Sequence, residues 1–216
     1  MPNVIDRDEQ LASAQSRSQL FWLLAEGLLS GPWTGAWELV RKQELAGSTN
    51  DTPFATAWQD MIGVLKNLDQ GARDRLVVEH TRLLGGLGKD AGPPPPFESA
   101  WRESIEPGEV ALAVASSYTS AGFADIDLDA GPQDHLGVEL KFMAMLALRE
   151  AEAWRQDDVA GAEARILQQR TFLDHHLLGW VPRWTDVIAQ QAREPVFLAF
   201  VALLWEVLNE VAGDLG

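Results

Sequence analysis

Cysteine is absent from the 216 residues. That excludes disulfides, thiolate metal sites and a cysteine nucleophile. Basic residues are scarce, with 17 Lys and Arg against 32 Asp and Glu and a formal net charge of -15. Such a surface repels phosphate backbones and anionic lipid and attracts basic partners, so nucleic acid is not an expected partner. The longest apolar run, Val196 to Trp205, is shorter than the roughly 20 residues that a membrane-spanning helix needs. Met1 to Gln19 is polar and mixed in charge, so no signal peptide is expected there. No segment reads convincingly as a strand, and no repeat of solenoid period is visible. These absences point to a soluble, cytoplasmic protein without membrane insertion.

The chain does contain the material for a core. Hydrophobic residues make up 46%, enough for one domain over 1–216. Asp8 to Ser30 reads as a first helix, with Leu11, Ala14, Phe21, Ala25 and Leu28 on one side, Trp22, Leu24 and Leu29 widening the stripe, and Gly31-Pro32 stopping it. Trp33 to Leu45 reads as a short second helix ended by Gly47. Thr52-Pro53 starts a third, which buries Phe54, Ala57, Trp58, Met61, Leu65 and Leu68 before Gly71 breaks it. A fourth, Ala72 to Leu84, turns Leu76, Val77, His80, Leu83 and Leu84 inward. Further helices are expected over Glu109–Ala121, Val159–Leu178, Trp180–Gln191 and Pro195–Val211, the last apolar nearly all round and therefore central. The architecture expected is an all-α, single-domain bundle of nine or ten helices.

Two irregular stretches interrupt the helices. Gly85 to Ser99 contains Pro93 to Pro96, an extended polyproline segment without amide donors. Gly122 to Gly131 carries Asp125, Asp127 and Asp129, but its glycine is one place late for a calcium loop and Leu136 stands where the bidentate glutamate belongs, so calcium is rejected. Directly after it comes Pro132-Gln133-Asp134-His135-Leu136-Gly137-Val138-Glu139-Leu140. There Asp134 is positioned to cap a helix whose apolar face is Leu136, Leu140, Met143 and Ala147. His135 and Glu139, four apart, share a face of that helix. Two carboxylates and an imidazole thus meet at a loop-to-helix junction.

Several chemistries fit this junction poorly. His135, Glu139 and the adjacent His175-His176 lack the second Glu-x-x-His and the inward carboxylates of a di-iron bundle, so no metal is expected. Ser99, His135 and Asp134 could compose a hydrolytic triad on paper, but no Gly-x-Ser-x-Gly elbow accompanies them. Gly85-Gly86-Leu87-Gly88-Lys89 lacks phosphate-loop spacing and follows no strand. A metal-dependent or hydrolytic helical enzyme using His135 is the alternative reading. Peptide binding suits the composition better: 9 tryptophans offer apolar walls, and Glu79, Glu98, Asp134 and Glu139 offer partners for arginine.

Three blocks, in order, resemble a known family. Glu79-His80-Thr81-Arg82-Leu83-Leu84, followed by the proline run and Pro95-Pro96-Phe97-Glu98-Ser99, is similar to the family pattern Glu-aromatic-x-x-Leu-Phe and Pro-Pro-aromatic-Glu-Ser, departing from it at His80 and Leu84. Asp134-His135-Leu136-Gly137-x-Glu139-Leu140-x-Phe142-Met143 resembles the signature of the TorD/DmsD/NarJ family of cytoplasmic chaperones for molybdenum-cofactor oxidoreductases. Phe172-Leu173-x-x-His176-Leu177-x-x-Trp180 is a weaker third block.

The resemblance implies a TorD-like fold and a binding protein without catalysis or cofactor. Its partner would be the catalytic subunit of a molybdopterin oxidoreductase, held through its twin-arginine signal peptide while cofactor is inserted and export is delayed. Carried over position by position, the contact residues are Pro96, Phe97, Glu98, Ser99, Trp101, Asp134, His135 and Glu139. In that scheme Asp134 and a neighbouring glutamate pair the arginines, His135 orients Asp134 or donates to the peptide backbone, and Phe97 and Trp101 pack the apolar part. Helix capping is the competing role for Asp134 and Glu98. The resemblance also implies a monomer or a domain-swapped dimer, with Gly122–Gly131 as the hinge.

Overall fold

The computed structural model describes residues 7–42, 52–69, 71–88, 91–103, 105–123 and 133–215. The expected end of the second helix at Leu45 and Gly47, the three aspartates of the second loop and most of its hinge lie outside the described residues. Among those residues ten α-helices and no strand are present: α1 (Arg7–Ser30), α2 (Trp37–Lys42), α3 (Pro53–Lys66), α4 (Ala72–Leu84), α5 (Glu98–Trp101), α6 (Pro107–Ser120), α7 (Leu136–Arg155), α8 (Val159–His175), α9 (Val181–Gln191) and α10 (Pro195–Asp214). The all-α bundle is as the sequence implies.

Local chemistry sets most boundaries. Gly31 ends α1 at φ +94, a left-handed conformation that glycine adopts without steric cost. The Thr52 hydroxyl accepts from the Ala55 amide at 3.1 Å, with Pro53 at the first helical position of α3. Asp158 caps α8 through the Gly161 amide at 2.9 Å. Proline also opens α6 and α10.

α1 lies along α7, and α7 along α8; α10 packs on α3 and α9. The main core gathers Phe21, Leu24, Met61, Leu76, Leu140, Met143, Trp184, Phe200 and Leu204, all buried. α10 is long and apolar enough to cross a membrane by length and composition. In this fold its Val196, Phe200, Leu204, Leu208 and Val211 are core residues instead. A buried polar knot ties three helices together. Arg17 of α1 pairs with Glu150 of α7 at 2.6 Å, and Glu150 also accepts from Gln169 of α8 at 2.6 Å and from Trp154 at 3.2 Å.

Several sequence expectations need correction. The helix expected from Trp33 begins only at Trp37, because Trp33 to Ala36 form turns closed by the Trp37 amide on the Thr34 carbonyl. Val77 is exposed, whereas Leu76, Glu79 and Leu83 form the inner face of α4. The helix expected to Leu178 stops at His175 and yields to a 3-10 turn over Leu177–Gly179. The irregular stretch expected to Ser99 ends two residues earlier, at Phe97, since α5 starts at Glu98.

Candidate functional site

The four residues of α5 and the start of α7 form one ledge. Proline supplies no amide, so the run before Phe97 leaves its carbonyls free for partners elsewhere. The Leu136 amide donates to the Pro96 carbonyl at 2.8 Å, and the Glu98 amide to the Asp134 carbonyl at 2.8 Å, an antiparallel bridge between Phe97 and His135. The Trp101 indole donates to the Pro95 carbonyl at 2.9 Å and pins the strap, the segment Pro93–Phe97 that leads into α5, from its other end. The Phe97 and His135 rings meet edge to face at 5.1 Å. The Pro-Pro-Phe-Glu-Ser block and the Asp-His-Leu-Gly block are thus joined backbone to backbone.

Asp134 does cap a helix, but not the one expected. Its carboxylate accepts from the Ser99 amide at 2.9 Å, capping α5 across the ledge. The cap of α7 is His135, whose Nδ1 accepts from the Gly137 amide at 3.0 Å. A neutral ring accepting at Nδ1 carries its proton on Nε2. Burial lowers the His135 pKa to about 4 despite the neighbouring Asp134, so the ring is neutral at physiological pH.

Below the ledge lies a buried acidic floor. Glu98 is ion-paired with Arg102 at 2.6 Å and hydrogen-bonded to His176 Nδ1 at 2.9 Å. His176 stacks on Phe172 at 4.6 Å, and its Nε2 lies 3.1 Å from the Ser117 hydroxyl. Arg102 also donates to the His175 and His176 carbonyls, closing the C-terminus of α8. Glu139 is fully buried, and neither carboxyl oxygen finds a donor. Desolvation, and then the charges of Glu98 and Asp134, push its pKa well up, which favours its protonated form. Tyr118 donates to the Gln133 carbonyl at 2.9 Å; burial and the same three carboxylates hold its phenol protonated.

The eight carried-over residues therefore converge, in two tiers. Phe97, Ser99 and His135 are partly accessible; Pro96, Glu98, Trp101, Asp134 and Glu139 are buried. Glu79 is elsewhere engaged, with Arg82 at 2.7 Å and the Arg193 amide at 2.7 Å. Sequence reasoning did not assign roles to Arg102, Ser117, Tyr118 or His176. His176 stood in the weak third block, which was the signal available for it.

The line Ser117–His176–Glu98 has the order of a hydrolytic triad, yet Ser117 sits inside α6 and its hydroxyl also bonds the Ala113 carbonyl at 3.1 Å. Amides there are consumed by the helix ladder, so no donor pair faces a developing oxyanion. Among the described residues no group of three His, Asp or Glu side chains has the arrangement of a metal site.

Comparison with known proteins agrees with the motifs. The family described as nitrate reductase delta subunit matches residues 48–186. A chaperone protein TorD from Aliivibrio fischeri is 22% identical over 206 residues, covering 91% of this chain and 93% of the relative. Another, from Aeromonas salmonicida, is 28% identical over 201 residues, 87% and 84% of the two chains. With the match spanning well over half of its length, the chain belongs to the nitrate reductase delta subunit family, the TorD/NarJ group of molybdoenzyme chaperones, which are not enzymes.

Proposed function

We propose that this cytoplasmic, single-domain chaperone binds the twin-arginine signal peptide of a molybdopterin oxidoreductase catalytic subunit, keeps the apoprotein open to cofactor insertion and delays its export. The observation that carries the reading is the bridge between Phe97 and His135. It brings two family motifs, distant in sequence, into one accessible ledge above buried carboxylates.

The two tiers have different tasks. Phe97 offers an apolar ring edge, His135 its Nε2–H as a donor to a peptide carbonyl, and Ser99 a hydroxyl. Asp134 and Pro96 hold the ledge in register, and Trp101 anchors the strap. Glu98, already paired with Arg102, and Glu139 lie beneath, and the Asp134 carboxylate at the ledge favours a guanidinium approaching from outside. Partial exposure of the upper tier suits reversible capture, since a chaperone has to release its client.

Co-purification tests this reading. The chain is expected to capture the precursor of its client reductase and to lose it when the precursor's signal peptide is deleted. Equal capture of precursor and mature apoprotein would place recognition outside the signal peptide.

A further inference from the structure

Of the three carboxyls under the ledge, two are satisfied: Glu98 by Arg102 and His176, and Asp134 by the Ser99 amide. Glu139 is not. It is fully buried, and among the described residues neither of its oxygens receives a hydrogen bond. A polar group buried in that way is costly, and its presence calls for a reason. Within its hydrogen-bonding reach is the Glu98 carboxyl, which offers only acceptors when ionised. The two can bond only through a proton, which then belongs to the pair.

The charged and titratable groups around Glu139 do not supply another partner. Glu98 from α5 and Asp134 from the turn before α7 oppose its ionisation, and Arg102, just after α5, favours it least strongly of the three. Tyr118 of α6 is turned to the Gln133 carbonyl, and His176 beyond α8 to Glu98. Arg17 of α1 is engaged by Glu150, eleven residues and so about 16 Å further along α7.

The seam between the two carboxyls is short. Glu98 stands on one side of it and Glu139 on the other. Three amides close it: Leu136 on the Pro96 carbonyl, Glu98 on the Asp134 carbonyl and Ser99 on the Asp134 carboxylate. With four residues, α5 has almost no helix ladder of its own to hold it in place.

We propose that Glu98 and Glu139 form a proton-held latch: the strap and α5 stay closed on α7 while the pair carries a proton, and lift from it when that proton is lost. The proton passes to water and its electron pair stays on the carboxylate. Three buried carboxylates then face one guanidinium and one imidazole, and parting the seam lets water reach them. Phe97 and Ser99 move with the strap and α5, so loss of the proton takes the ledge apart. The use of the latch rests on the proposed function: release of the client follows proton loss.

Hydrogen exchange of the free chain tests it, read by NMR at the Glu98, Ser99 and Leu136 amides between pH 6 and 7.5, where closing outpaces exchange. Hydroxide catalysis alone raises the rate about tenfold per pH unit; an opening that also releases a proton raises it about a hundredfold. The latch predicts the hundredfold rise, little affected by low urea because a local opening exposes little surface. In Glu139→Gln, with its fold checked by thermal melting, the rise returns to tenfold. A tenfold rise in the intact chain overturns the latch. So does a urea dependence as steep as that of the Leu204 amide in the core, which means that the seam parts only on global unfolding. Calorimetric titration with a twin-arginine peptide separates the two claims. If the peptide binds and exchange rises only tenfold, the latch falls and the proposed function stands; a hundredfold rise without peptide binding supports the latch while the proposed function falls.

Discussion

His135 accepts from the Gly137 amide and sits half-buried against Phe97, and both facts oppose a second proton on its ring. As pH falls below the ordinary value of 6.5, the unfolded chain takes up that proton first, and the folded chain follows only near 4. His135 therefore withdraws stability between those two values. His80, lowered by its own burial, acts in the same direction. Asn caps a helix as well as most residues do and does not titrate, so His135→Asn is expected to flatten the fall in melting temperature from pH 6.5 to 4 while leaving it nearly unchanged at pH 7.5. Glu139 works in reverse. Its folded pKa is raised, so stability is lost as pH climbs above the unfolded value of 4.5, by about 1.4 kcal/mol per pH unit while the carboxyl stays protonated. Glu139→Gln keeps the shape and removes that cost; the expected gain in melting temperature is larger at pH 8 than at pH 5, and equal gains at the two would contradict a protonated Glu139. The sequence displayed Asp134, His135 and Glu139 in one motif. It did not reveal that two of the three are buried, because spacing along a helix fixes a face and not what later covers it.

At the scale of elements, α7 organises the molecule, and close contact with α1 fixes where its first turn lies. Gly137 leaves room for Leu29, and an added methyl group at 2.7 Å from Leu29 Cγ forces one of the two to move. Gly137→Ala is expected to cost about 1–3 kcal/mol in urea denaturation, of the size that overpacking costs. The Arg17–Glu150 pair is a second fastening. Removing one partner leaves a charge buried and alone, so Glu150→Ala is expected to cost about 3–5 kcal/mol, and the double change Arg17→Met with Glu150→Met distinctly less. Helix identities were legible from apolar spacing and from Thr52-Pro53, Gly31 and Pro195. The strap was not. α5 has four residues, too few to show a period, and its cap comes from Asp134, 35 residues from Ser99. The same limit hid the knot around Glu150: a partner on another helix leaves no trace in local spacing.

For the whole molecule, one continuous core runs from α1 through α3 and α7 to α10, so denaturation is expected to be a single cooperative transition, with fluorescence and circular dichroism coinciding. The net charge of -15 should speed association with a basic signal peptide at low salt and slow it as salt rises, since it acts on encounter more than on the bound state. The all-helical class and the family were both readable from sequence, the family through short motifs and not through overall likeness. What needed the structure was the convergence of those motifs on one ledge. The measurement that tests this account most directly is calorimetric titration of the chain, and of its Phe97→Ala variant, with a twin-arginine signal peptide and its Lys-Lys counterpart. The account predicts micromolar binding of the Arg-Arg peptide, at least tenfold weaker binding of the Lys-Lys peptide, and a comparable loss in Phe97→Ala with its melting temperature kept. Equal affinity for the two peptides, or full affinity in Phe97→Ala, would contradict a twin-arginine site on the ledge.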